Sequence, residues 1–137
     1  MTARAVFVDT GAWVALRYRR DSWHTRACAL LRRLRRERRE LVTTDLVLAE
    51  TVTLLKARGA VDHALAIGDA LLSGQVGRLV EIGAAARRRA WHLFRRYRAL
   101  PVGYVDCTSF AVMEEEGLRV VFGFDDDFRA AGLELLR

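Results

Sequence analysis

Arg4-Ala-Val-Phe-Val-Asp-Thr-Gly11 places a short apolar run, with two β-branched residues, directly before an aspartate and a glycine. The run predicts a β-strand over residues 4–8, and the Asp-Thr-Gly sequence predicts a tight turn after it. Asp9 therefore stands at the carboxyl end of the first predicted strand.

Strands alternate with helices along the rest of the chain. Short apolar runs predict strands at 41–43, 77–82, 119–124 and 133–136. Apolar residues at helical spacing predict a helix from Asp21-Ser22, one from a Thr44 or Asp45 cap to about Arg58, others over 61–72, 84–98 and 104–116, and a helical turn to Ala131. Because this order needs crossover connections, we predict the α/β class, with a mainly parallel sheet of about five strands covered by helices.

The size and composition predict one domain with a substantial core. The chain has 137 residues, of which 52% are hydrophobic. No apolar stretch approaches the roughly 20 residues of a membrane-spanning helix, and Asp9 interrupts the apolar run near the amino end, so neither a membrane span nor a signal peptide is expected. Cys28 and Cys107 are too few for a disulfide framework. The expected location is the cytoplasm.

The charge balance favours a polyanionic partner. Basic residues number 23 against 17 acidic ones, for a net charge of +6, which suits nucleic acid or an acidic protein segment. Arginine clusters at 17–20, 32–39, 87–89 and 95–98 could hold phosphates or form ordinary solvated helix faces. Trp13, Trp23 and Trp91 could stack on bases, although Trp23 is expected in the core.

Acidic residues from distant parts of the chain are predicted to meet at one edge of the sheet. Asp9 and Asp125 follow the first and fourth predicted strands, and Asp106 opens a predicted helix at the same edge. Ligands of open parallel sheets bind in the crevice beyond the carboxyl ends of the strands. These three carboxylates are therefore candidate functional groups.

Glu50 is a fourth candidate for a different reason. It lies in the middle of a predicted helix and shares a face with Val47 and Leu54, which is expected to pack on the sheet. Burying a carboxylate there is costly unless a cation pairs with it. The pattern predicts that Glu50 faces a cation.

A shared divalent cation would explain why these acids come together. Carboxylates packed together raise one another's pKa, and Mg²⁺ or Mn²⁺ relieves this because both prefer oxygen ligands. Such a site supports metal-assisted phosphodiester hydrolysis. Each acid also has a purely structural interpretation: Asp9 as a turn former, Asp106 as a helix N-cap and Asp125–Asp127 as a solvated turn. From the residues alone, both interpretations stay open.

Four stretches of the chain match a known family in order and spacing. They are Phe7-Val-Asp-Thr-Gly-Ala-Trp-Val-Ala-Leu16, the Thr44 to Glu50 helix, Tyr104-Val-Asp-Cys-Thr-Ser-Phe-Ala111, and Phe122-Gly-Phe-Asp-Asp-Asp-Phe128 with Ala131-Gly132. Together they resemble the PIN-domain ribonucleases, and in particular the VapC-type toxins of bacterial toxin–antitoxin pairs. The resemblance covers essentially the whole chain.

The resemblance carries expectations about fold and activity. It implies a single PIN-like domain over residues 1–137, with a three-layer α/β/α architecture. It also implies Mg²⁺- or Mn²⁺-dependent endonucleolytic cleavage of RNA, a homodimer, and inhibition by a cognate antitoxin.

The resemblance also assigns roles to residues of this chain. The implied catalytic, metal-binding acids are Asp9, Glu50, Asp106 and Asp125, with Asp127 as an additional metal ligand. Thr108 matches a hydroxyl residue that the family often keeps beside its third acid. Gly11 stands where many relatives have serine, which removes no carboxylate.

Two other functions compete with the ribonuclease. A non-catalytic nucleic-acid-binding or partner-binding module could keep the same fold, although the presence of all four acids argues against it. A haloacid-dehalogenase-like phosphatase also begins with an aspartate after its first strand. It needs a second aspartate two positions later, where this chain has Gly11.

Overall fold

A computed structural model describes residues 4–137 and shows five strands and seven helices in that range. In chain order these are β1 (Val6–Val8), α1 (Thr10–Arg17), α2 (His24–Arg36), β2 (Leu41–Thr44), α3 (Asp45–Ala57), α4 (Val61–Ser73), β3 (Arg78–Val80), α5 (Ala84–Arg96), α6 (Tyr104–Glu116), β4 (Val120–Phe122), α7 (Asp127–Ala130) and β5 (Glu134–Leu135). The strands form one sheet in the order β3-β2-β1-β4-β5, and every pairing is parallel. The predicted α/β class and three-layer architecture are confirmed.

Strand β1 is the centre of the sheet and of the core. Phe7 pairs with Val42 of β2 on one side and with Val121 of β4 on the other, and all three residues of β1 are completely buried. A strand covered on both faces reads as an uninterrupted apolar run, which is the pattern at 6–8. The backbone N–H of Asp9 then donates to the Phe122 carbonyl over 3.0 Å, so the ladder between β1 and β4 continues to Asp9.

The tight turn predicted at Asp9-Thr-Gly11 is wrong, because a helix begins there. Helix α1 starts at Thr10, and Asp9 is its N-cap by backbone conformation but makes no side-chain capping bond. The helix has only eight residues and no acidic residue in its first turn, and the Asp9 side chain leaves the first-turn N–H groups uncapped. Its stability comes from tertiary packing, since Ala12, Trp13, Val14 and Ala15 are all buried.

The connection from α1 to α2 also differs from the prediction. Helix α2 begins at His24 rather than at Asp21-Ser22, and the Asp21 carboxylate accepts a hydrogen bond from the Trp23 backbone N–H over 2.8 Å. Trp23 is 49% exposed, so its expected core position is wrong. Its ring stacks on Phe124 instead of entering the interior.

The start of α3 settles an alternative that the sequence left open. Thr44 is the cap, because its hydroxyl accepts from the Val47 backbone N–H over 3.1 Å. Asp45 is the first helical residue, and its carboxylate accepts from the Ile82 backbone N–H. Asp45 thereby ties α3 to the segment that follows β3.

Several strands are shorter than predicted, which changes the setting of one candidate acid. Strand β4 ends at Phe122, so Gly123 and Phe124 separate Asp125 from the strand. Asp125 lies in the loop before α7 rather than immediately after the strand. Across residues 4–137, no helix is both long and apolar enough to cross a bilayer.

Two glycines give opposite stability predictions. A Cβ at Gly77 would lie 2.6 Å from the Leu41 carbonyl oxygen, whereas a Cβ at Gly68 inside α4 would make an ordinary 3.6 Å contact with Val52. We expect Gly77→Ala to lower the free energy of unfolding by roughly 1–3 kcal/mol, because backbone must shift. Gly68→Ala should raise it by roughly 0.5–1 kcal/mol, because alanine favours a helix interior. Urea denaturation measures both; a Gly77→Ala protein as stable as the parent contradicts the close approach of β3 and β2.

Candidate metal centre

Asp9 is the centre of the acidic edge, the group of carboxylates formed by Asp9, Glu50, Asp106 and Asp125. Its side chain is 7% exposed, and a Cβ at Gly123 would lie only 3.2 Å from the Asp9 Cβ. The chain leaving β4 therefore passes directly against this carboxylate, and glycine is what allows the approach. Burial, and after it the charges of Asp106, Glu50 and Asp125, raise the pKa of Asp9 to about 7, although a hydrogen bond from the Thr10 backbone N–H acts in the opposite direction.

Asp106 approaches the same edge from helix α6. The N-cap of α6 is Gly103, and Asp106 is the third residue of the helix, so the predicted N-cap interpretation is wrong. Its carboxylate accepts from the Gly103 backbone N–H over 3.0 Å, which fixes it in the first turn. Burial raises the pKa of Asp106, and the carboxylates of Asp125, Glu50 and Asp127 add to the increase.

Glu50 reaches the edge although it is not buried. The buried face of α3 consists of Val47, Thr51 and Leu55, and Glu50 itself is exposed, so the predicted packing of Glu50 on the sheet is wrong. Its Oε1 accepts from the Thr10 hydroxyl over 2.8 Å, beside Asp9 at the start of α1. Its charge raises the pKa of both Asp9 and Asp106, which places it within electrostatic reach of both.

The aspartate run after β4 supplies two further carboxylates. Asp125 Oδ1 accepts from the Asp127 backbone N–H over 2.9 Å, which closes a local turn. The charge of Asp125 raises the pKa of both Asp9 and Asp106, whereas Asp127 affects only Asp106 of this pair. The pKa of Asp127 is itself raised, first by desolvation and then by Asp125. Of the two, Asp125 is the better placed to share an ion with Asp9.

Thr108 does not join these carboxylates. It is buried in α6, and its hydroxyl donates to the Val105 carbonyl of the same helix over 2.6 Å. This bond satisfies the hydroxyl within the helix. The structure therefore gives Thr108 a packing role beside Asp106.

The donor chemistry of this edge fits a hard divalent cation. The candidate groups are all carboxylates, and their mutual repulsion and desolvation raise the pKa of Asp9 and Asp106, as expected where a cation would compensate. Within residues 4–137, however, no three Asp, Glu, His or Cys side chains are close enough to form a ready-made coordination shell. Glu50, Asp106 and Asp125 are each held by a protein donor instead. That these acids act as metal ligands stays a prediction.

The sequence did not reveal two residues that shape this site. Thr10 orients Glu50 through its hydroxyl, and Gly123 leaves room for Asp9. Gly123 carries a weak signal, since a glycine between an apolar strand and an acidic run indicates a close backbone approach. Thr10 carries none, because its partner is 40 residues away in the chain.

Comparisons with known proteins identify the family. The family model described as PIN domain matches residues 6–133. The chain is 37% identical over 133 residues to the 23S rRNA-specific endonuclease VapC20 of Mycobacterium tuberculosis, in strains CDC 1551 and H37Rv. The aligned region covers 96% of this chain and 98% of that protein.

A solved structure agrees with the sequence match. The crystal structure of Mycobacterium tuberculosis VapC20, titled a sarcin–ricin loop cleaving toxin, superposes with a TM-score of 0.84 at 35% identity, covering 94% of this chain and 96% of that one. The resemblance drawn from the four sequence motifs is therefore confirmed. With its parallel sheet, its acidic edge and these matches along nearly its whole length, the chain belongs to the PIN domain family.

Proposed function

We propose that this protein is an endoribonuclease that uses Mg²⁺ or Mn²⁺ and acts as the toxin of a toxin–antitoxin pair in the cytoplasm. The observation that carries the proposal is the buried Asp9 carboxylate, whose pKa is raised to about 7 beside Asp106, Glu50 and Asp125. The similarity to an endonuclease specific for 23S rRNA supports a structured ribosomal RNA as the substrate class. The net charge of +6 supports binding to such a polyanion.

The residues at the acidic edge have two proposed roles, which are to bind the metal ion and to orient the side chains that bind it. Asp9, Glu50, Asp106 and Asp125 would hold the ion, with Asp127 as an additional ligand. When bound, such an ion polarises the phosphoryl group and lowers the pKa of the attacking water. The Thr10 hydroxyl and the Gly103 N–H orient Glu50 and Asp106, respectively. This support matters because ligands that are already oriented lose less conformational freedom on binding.

A groove on another face supports the antitoxin partner. Its volume is about 870 Å³, and it lies between α1, α2 and the segment that leads into β3. Apolar Trp13, Leu16 and Leu31 line it together with Arg17 and Arg35. Apolar side chains flanked by arginines suit a partner segment that carries both apolar and acidic residues.

A stripe on α4 supports the homodimer. Val61, Leu65 and Leu72 lie on one side of the helix and are all exposed, which leaves an apolar surface without a cover in this chain. We propose that a second copy covers it. Sedimentation at micromolar concentration should show twice the 15.5 kDa of one chain, and a monomer at all concentrations contradicts the dimer.

Asparagine substitutions test the acidic edge. We expect Asp9→Asn and Asp106→Asn to reduce metal-dependent RNA cleavage by more than about a hundredfold, because even the outer partners of metal ligands are worth about 10–100-fold. Asp125→Asn should lose more activity than Asp127→Asn, since only Asp125 lies within electrostatic reach of both Asp9 and Asp106.

A matched control comes from the same aspartate run. Asp126 is 82% exposed and pairs with Arg129, so Asp126→Asn should cleave like the parent. The assay follows a ribosomal RNA stem-loop with added Mn²⁺ and with a chelator. Binding of RNA without metal and without cleavage is the result of a non-catalytic module and would contradict the proposed enzyme.

The raised pKa of Asp9 predicts how the stability of the metal-free protein depends on pH. The folded state keeps the Asp9 proton up to about pH 7, whereas the unfolded state loses it near 3.8. Protonated Asp9 therefore contributes at most roughly 4 kcal/mol to the free energy of unfolding. The contribution is fully present below about pH 4 and is lost as the pH rises through 7. Asp9→Asn should therefore be more stable than the parent at pH 8 and less sensitive to pH.

Urea denaturation at pH 5 and pH 8 with a chelator measures this effect. Added Mn²⁺ should stabilise the parent at pH 8 and not the Asp9→Asn protein, because binding to the folded state raises its stability. If Asp9→Asn keeps the full pH dependence of the parent, another group causes the loss of stability at high pH, and the prediction for Asp9 is wrong.

A further inference from the structure

We propose that the exposed face of Trp23 is a stacking site for a base of the RNA substrate, at the border of the acidic edge. This inference rests on the proposed function, in which RNA is the substrate, and adds a residue that positions it. No carboxylate of the candidate metal centre is part of this site.

The geometry places a flat aromatic surface beside the candidate ligands. The rings of Trp23 and Phe124 are 4.6 Å apart and within 5° of parallel, and Phe124 immediately precedes Asp125. Phe124 in turn meets the buried ring of Phe122 edge-on at 6.2 Å, which anchors the stack to the core. One face of Trp23 thus rests on Phe124, and about half of the side chain remains exposed.

A hydrogen-bonded loop holds the backbone of Trp23 in place. The Asp21 carboxylate accepts from the Trp23 N–H over 2.8 Å, and the Asp21 N–H donates to the Tyr18 carbonyl over 3.0 Å. Arg58 of the segment after α3 lies 3.7 Å from the same carboxylate and over the Tyr18 ring. A ring presented by a rigid loop loses little freedom when a base stacks on it.

The surroundings of Trp23 suit RNA better than an apolar protein surface. The four residues that precede it in the loop are all polar: Arg19, Arg20, Asp21 and Ser22. In residues 4–137, Arg19 and Arg20 have no carboxylate within 4 Å, which leaves both guanidinium groups available for phosphates. Aromatic platforms flanked by cations are the usual binding surface for unpaired bases.

The test measures binding separately from cleavage. An Asp106→Asn background prevents hydrolysis, and the probe is a fluorescent RNA stem-loop with the sarcin–ricin loop sequence. In that background Trp23→Ala should weaken binding by about 5–150-fold, the equivalent of the 1–3 kcal/mol that base stacking contributes. Trp23→Phe should retain most of the affinity, and Leu100→Ala, which also removes an exposed apolar side chain, should bind like its parent.

Abasic substitution of the RNA identifies the stacked base. One abasic position in the RNA loop should weaken binding to the protein that retains Trp23, down to the affinity of Trp23→Ala. The same abasic position should not weaken binding to Trp23→Ala any further. A purely structural role of Trp23 would make the two losses independent, and that result overturns the proposal. Equal affinity of Trp23→Ala and its parent also overturns it. Thermal unfolding of Trp23→Ala checks that the fold is intact.

The two hypotheses fail in different ways. If the parent protein cleaves the stem-loop and Trp23→Ala cleaves it equally well at limiting RNA, the stacking site is wrong and the proposed function stands. If the parent does not cleave but the abasic result holds, the enzyme is wrong and the base-stacking surface stands.

Discussion

The burial of Asp9 at the carboxyl end of β1, against the chain that leaves β4, is the constraint on which the site depends. Strand β1 is central and fully buried. Asp9, the residue that follows it, is therefore held against the end of β4 even though it carries a carboxylate. Gly123 makes this contact sterically feasible. Because the core fixes Asp9 in place, burial and then the charges of Asp106, Glu50 and Asp125 raise its pKa.

The other acids are held by local bonds rather than by the core. Asp106 is tied to the start of α6, Glu50 to the Thr10 hydroxyl, and Asp125 to the turn before α7. The central carboxylate is thus fixed by the core, and its neighbours are oriented by one hydrogen bond each. The acidic edge is therefore a local feature of a protein whose overall charge is +6.

Most of the fold and the membership of the acidic edge were predictable, because the signals are local and strong. The apolar run at 4–8 and the Thr44 or Asp45 cap are both local signals: the run contains strand β1 at 6–8, and Thr44 is the cap. Helix α1 was missed because packing rather than capping stabilises it. Glu50 does lie at this edge, but the argument that led to it was wrong. The buried face of α3 contains Thr51 and Leu55 in place of Glu50 and Leu54, and Glu50 is exposed. Trp23 was misplaced because its partner, Phe124, is about a hundred residues away, and helical periodicity carries no information on such a contact.

The central claim is that these carboxylates share one divalent ion, and crystals soaked in Mn²⁺ test it most directly. Anomalous diffraction should show a peak bound by oxygens of Asp9 and Asp106, at roughly the 2.0–2.2 Å typical of small hard cations, with Glu50 or Asp125 completing the shell. A peak that Asp9 does not touch, or no peak at this edge at saturating Mn²⁺, would contradict the account.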